Sequence, residues 1–139
     1  MILSRREALV LALGSVAAAA IPMSALASVD DAVAAFTGGA AVTDGAGVTL
    51  TAPEIAENGN TVPISVDAPG ASSILVLAAG NPTPAVVTFN FGELAGAHAA
   101  STRIRLSKTQ NVIAIAKLAD GTFVRTSSEV KVTIGGCGG

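Results

Sequence analysis

Val112-Ile113-Ala114-Ile115-Ala116-Lys117-Leu118-Ala119-Asp120-Gly121-Thr122-Phe123-Val124-Arg125 consists of two runs rich in β-branched residues, parted by Asp120-Gly121. Asp and Gly tolerate the positive φ angles of a tight reversal, so the runs are expected to pair as an antiparallel hairpin through a two-residue turn. Further on, Val130-Lys131-Val132-Thr133-Ile134 alternates apolar with polar side chains. A period of two turns Val130, Val132 and Ile134 towards a core and leaves Lys131 and Thr133 in water.

Outward from this hairpin, Val, Ile and Thr recur in short segments separated by Pro, Gly, Asn and Asp, the pattern of antiparallel strands. The strands are expected at Val48 to Thr51, Thr61 to Asp67, Ser73 to Ala79, Ala85 to Phe91, Thr102 to Leu106, Val112 to Leu118 and Thr122 to Ile134. Ile74-Leu75-Val76-Leu77-Ala78-Ala79 barely alternates, so both of its faces are expected to be covered, by a crossing loop or by a partner subunit. Ser28 to Phe36 begins with a capping serine, carries Asp30 and Asp31 in its first turn and stops at Gly38-Gly39, which predicts one short helix. The expected fold class is all-β: an immunoglobulin-like β-sandwich of about seven strands, with a short N-terminal helix and a flexible C-terminal glycine arm. An open barrel is the architectural alternative.

The 139 residues, 50% of them hydrophobic, suit one domain. Residues 1–27 read as an export signal of the twin-arginine type: Arg5-Arg6, an alanine-rich apolar run to Ile21, and Ala25-Leu26-Ala27 before a cut at Ser28. The run is too short, and Pro22 follows it, so no permanent membrane anchor is expected and the product belongs in the periplasm. Residues 28–134 are expected to form the sandwich domain and residues 135–139 a C-terminal arm. Without the signal the domain is mildly acidic, which argues against nucleic acid as a partner.

With one Cys, one His and neither Tyr nor Trp, the chain lacks the clustered ligands of a metal, haem or iron-sulfur site, and no cofactor is expected. His98 lies in a small-residue stretch that reads as a solvated surface loop. Arg103 and Arg105 alternate on one strand and point to the same face, as a solvated basic strip or an anion-docking surface. The chemistry converges on Gly135-Gly136-Cys137-Gly138-Gly139. An unpaired Cys in an oxidising compartment is a free thiol or an intermolecular bridge. Glycine adds backbone freedom and a thin cross-section, and Gly135 to Cys137 fully extended would carry the thiol roughly 10 Å past Ile134. An exposed thiol titrates near about 8.5, and no cation adjoins it in sequence, so activation must come from another protein. Cys137 therefore reads as a covalent attachment point, with Gly135, Gly136, Gly138 and Gly139 as its arm, and no catalytic or metal-binding residue is assigned.

Together with the twin-arginine-like start, this ending resembles that of SoxY, the carrier subunit of the periplasmic thiosulfate-oxidation system. Pro53-Glu54-Ile55-Ala56-Glu57-Asn58-Gly59, Val62-Pro63-Ile64, Asn81-Pro82 and Ser101-Thr102-Arg103-Ile104-Arg105-Leu106 also look like SoxY segments. The resemblance implies a non-catalytic carrier that forms a heterodimer with a SoxZ-like subunit. Its transient partners would be a haem-containing thiosulfate-conjugating enzyme, a sulfate-releasing hydrolase and a sulfane dehydrogenase. Three other readings predict different behaviour: a carrier acting through its Gly-Gly carboxylate, a structural or assembly sandwich indifferent to loss of residues 135–139, and a thiol enzyme that turns over alone.

Overall fold

The computed structural model describes residues 28–136. In chain order these form α1 (Val29–Thr37), β1 (Val42–Asp44), β2 (Thr49–Thr51), β3 (Ile55–Asn58), β4 (Val62–Asp67), β5 (Ser73–Ala78), β6 (Ala85–Asn90), β7 (Ala99–Ile104), β8 (Gln110–Lys117) and β9 (Phe123–Ile134). α1 begins as its sequence dictates. The Ser28 hydroxyl accepts the Asp31 N–H at 3.1 Å, and Gly38 ends the helix at φ 66°, where a side chain would be strained.

Two sheets pack as an immunoglobulin-like sandwich: β1-β9-β8-β5-β6, with β3 added on β9, faces β2-β4-β7. The long strand β9 organises the first sheet. It pairs antiparallel with β8 from Lys117↔Phe123 to Gln110↔Val130. It also takes β1 in parallel near its start, Val42↔Phe123, and β3 in parallel at its end, Asn58↔Ile134. These two short strands lie outside the set expected from sequence. With three and four residues they carry too little alternation to signal themselves, and the free edge of β9 is what makes them strands. β7 starts three residues before its expected beginning, because Ala99 to Ser101 pair with Ser65 to Asp67 although small side chains give them no apolar pattern.

The hairpin forms, but through a three-residue loop rather than the expected two-residue turn. Leu118 N–H donates to Thr122 C=O at 2.8 Å, Gly121 N–H donates to Leu118 C=O at 3.0 Å, and only Gly121 of the pair has positive φ, 84°. A turn followed by one left-handed glycine suits strands with a bulge at their closing end. Asp120 secures the loop by accepting from the Thr122 hydroxyl at 2.6 Å and the Thr122 N–H at 3.0 Å. These bonds, the hydroxyl's first, hold the Asp120 carboxyl below the usual aspartate range. A carboxylate whose folded pKa is depressed contributes stability above its unfolded pKa and loses it as pH falls through the folded value. The carboxylate is exposed, so the expected result is spectroscopic: by NMR titration Asp120 ionises at lower pH than aspartate in an unfolded peptide, and Thr122→Val returns it towards that value.

β5 lies inside the first sheet, which explains why its sequence does not alternate. Ile74, Val76 and Ala78 face the second sheet, against Val62, Ile64 and Val66. Leu75 and Leu77 face the other way, with Ile115 and Phe123, and are covered by Val29, Ala32, Val33 and Phe36 of α1. The rings of Phe36 and Phe123 meet edge-on at 5.7 Å. The covering element is thus the chain's own helix. Ile134 departs from its expected place in the core: paired with Asn58 at the end of β3, it is 65% exposed, while Val130 is fully buried.

Candidate functional site at the end of β9

Three segments meet where β9 ends. The turn after β3 brings Gly59 beside it, and the loop after β7 brings Leu106 and Ser107. Gly59 N–H donates to Ile134 C=O at 2.7 Å, Leu106 N–H donates to Gly59 C=O at 2.8 Å, and Gly136 N–H donates to Leu106 C=O at 2.8 Å. These are backbone groups only. Both Gly59 and Gly136 are buried.

Close approach explains why glycine stands at these positions. A Cβ on Gly59 would lie 2.3 Å from the Leu106 carbonyl oxygen and 2.8 Å from the Gly136 nitrogen. One on Gly135 would lie 2.2 Å from the Ser107 carbonyl oxygen, and one on Gly136 would lie 2.9 Å from that of Gly59. All fall inside van der Waals contact, so a side chain would force the backbones apart. Gly135 and Gly136, expected as the first half of a mobile arm, are here seated against the domain. Cys137, Gly138 and Gly139 lie outside the described residues.

The seat has its own support. Asn81, buried after β5, donates through Nδ2 to Arg105 C=O at 2.8 Å and accepts at Oδ1 from Ser107 N–H at 3.0 Å and Gln110 Nε2 at 2.9 Å. Gln110 accepts at Oε1 from Gly80 N–H at 2.8 Å and donates through Nε2 to Lys108 C=O at 2.9 Å. Satisfied polar side chains of this kind hold a loop in one shape, because breaking any bond leaves a buried group without a partner. The Thr109 hydroxyl accepts Val132 N–H at 2.9 Å and ties the same loop to β9.

Of the other candidate residues, Arg103 and His98 stand apart from this seat, and Arg105 joins it through the backbone C=O that Asn81 bonds. Arg103 is exposed, and its guanidinium reaches the Thr61 hydroxyl at 3.4 Å. Arg105 lines a shallow open cleft with Asn81, Thr83, Ala85 and Val86. His98 is not solvated decoration. It is half-buried, its Nδ1 is bonded to Ala71 C=O, its own C=O accepts from Ala68 N–H at 3.0 Å, and its ring lies 5.4 Å from that of Phe91. It closes the base of the β6–β7 loop. Among the described residues no group of three or more His, Cys, Asp or Glu is placed to hold a metal, and no helix is long and apolar enough to cross a membrane.

Reading the residues individually missed Gly59, Asn81 and Gln110. Asn58-Gly59 signals a turn, but nothing local shows that two other segments close on it. The segments through which the sequence resembles SoxY do include Gly59, Asn81, Arg105 and Leu106, and they converge on this seat.

Fold and seat together define an immunoglobulin-like sandwich that presents the root of its C-terminal segment on a rigid bed. The family described as sulfur oxidation protein SoxY matches residues 33–137, and the chain belongs to it. The sulfur carrier protein SoxY from Chlorobium limicola f thiosulfatophilum is 36% identical, superposes with a TM-score of 0.66, and is matched over 76% of this chain and 96% of that one. A sulfur-carrier role follows from this membership. A superoxide reductase (neelaredoxin) from Ignicoccus hospitalis has a TM-score of 0.55 at 16% identity, over 61% of this chain and 78% of that one, a likeness of fold alone. No curated protein matches the chain.

Proposed function

We propose that this protein is a periplasmic sulfur carrier that holds thiosulfate-derived sulfur covalently on Cys137 while other enzymes act on it. The observation that supports this most is the family match, which runs through the domain and ends at Cys137. A haem-containing enzyme joins the thiol and thiosulfate: a sulfur–sulfur bond forms, two electrons pass to the haem enzyme, and the thiol proton goes to solvent. The product is a Cys137 S-thiosulfonate. Water then attacks the terminal sulfone under a hydrolase, sulfate leaves with the water oxygen, and a persulfide remains. A sulfane dehydrogenase takes electrons from that remaining sulfur while water supplies its oxygens and protons go to solvent, which gives an S-sulfonate, and a further hydrolysis releases sulfate and frees the thiol.

None of these steps asks the carrier for a base or a metal. The carrier's task is to present one sulfur to several active sites in turn, and a thin tether on a rigid sandwich suits it. A SoxZ-like subunit completes the working carrier as a heterodimer, and a twin-arginine signal exports the folded pair. Intact-mass analysis of protein taken from the periplasm during growth on thiosulfate tests the reading. Increments that map to Cys137 and vanish on reduction are expected, and their absence throughout growth would overturn it.

A further inference from the structure

The structure assigns a positioning role to Gly59: it moors the root of the arm, so the chain is held against the domain as far as Gly136 rather than only as far as Ile134. This rests on the carrier reading for its consequence but not for its geometry. Gly59 is bonded to both neighbouring segments of the seat, through its N–H to Ile134 and through its C=O to Leu106, whose own C=O holds Gly136. Its missing side chain makes room for the Leu106 oxygen and the Gly136 nitrogen. Gly135 and Gly136 pass within the same limit of the Ser107 and Gly59 oxygens. Here glycine serves close packing, and its flexibility is held in check.

The mooring has a direct mechanical effect. Cys137 follows Gly136 by one peptide bond, so its backbone starts within about 3.8 Å of a fixed point beside Leu106. Casting off Gly135 and Gly136 would lengthen the tether by two residues, roughly 7 Å when extended. The seat grips by main-chain hydrogen bonds alone. It can therefore open without repacking any side chain, giving a short moored arm and a longer released one. Asn81 and Gln110 keep the loop that bears Leu106 in place in either state.

The experiment uses the full-length exported protein with Cys137 carrying a nitroxide label, and needs neither thiosulfate nor partners. In the parent, the amide of Gly136 is expected to exchange at least about tenfold more slowly than an unstructured glycine, with a motion-restricted label spectrum. In Gly59→Ala, that amide loses its protection and the label spectrum narrows, while the amides of Val76 and Val112 in β5 and β8 stay protected. Loss of protection throughout β5 and β8 would mean general unfolding, and Gly136→Ala then decides. That substitution lies beyond the last strand, and its Cβ would press on the Gly59 oxygen at 2.9 Å. It should free the label with the sandwich intact. A parent Gly136 amide that exchanges freely, or a label equally restricted in the parent and in a folded variant, overturns the mooring. Loading of Cys137 together with either result would leave the carrier reading standing, and a moored arm that never loads would leave the mooring standing.

Discussion

Cys137→Ser is expected to abolish every reducible mass increment on the protein and all sulfate formation that depends on it, a complete loss rather than a reduction. The change swaps one atom in a side chain flanked by glycines and adds no bulk. Its effect is chemical. A thiol enters a sulfur–sulfur bond after loss of a proton and two electrons, and the resulting disulfide-like link can later be cleaved by another thiol. Serine has no such couple, and its hydroxyl stays protonated and weakly nucleophilic without an activating base. A carrier working through its Gly-Gly carboxylate would load Cys137→Ser normally, as would a purely structural sandwich stay functional. Loading measured by intact mass, with a circular dichroism spectrum matching the parent's, separates these cases. A variant that still acquires thiosulfate-dependent mass at residues 135–139 would remove the thiol from the mechanism.

The largest stability effect is expected from Leu77→Ala. Leu77 is fully buried in β5, on the face of the first sheet that α1 covers, with Leu75, Ile115 and Phe123 as neighbours. β5 is hydrogen-bonded on both sides, to β6 and to β8, so its backbone cannot sink into the space that a truncated side chain leaves. A cavity that does not collapse puts the loss at about 2–5 kcal/mol. For a domain of this size that is a fall of roughly 10–20 °C in Tm. Thermal unfolding followed at a β-sheet wavelength measures it, with Leu94→Ala as control. Leu94 is 99% exposed on the β6–β7 loop, and its removal should leave Tm within about 2 °C of the parent. If the two leucines cost the same, α1 does not seal the sheet in solution.

That comparison also marks where the sequence was legible. The all-β class, the helix from its Ser28 cap to the Gly38 stop, and the β8–β9 pairing were readable because each is a local matter of capping, φ tolerance or side-chain period. The hairpin's loop length was not, since Asp-Gly suits both a two-residue turn and a three-residue loop ending in a left-handed glycine. Ile74 to Ala78 announced that both faces were covered. Only the packed molecule showed that Val33 and Phe36 of its own helix do the covering. His98 looked idle in a loop of small residues, because its partner Ala71 is distant in the chain.

The candidate site divides in the same way. Sequence alone determined that one thiol stands between glycine pairs, because residue types and their spacing are properties of the chain itself. The tertiary structure decided what the glycines before that thiol do. Gly59, Leu106 and Gly136 come from separate parts of the chain, and the distances between their backbone atoms exist only once β3, β7 and β9 have met. A glycine reads as freedom until something packs against it, and only the folded sandwich supplies the neighbour.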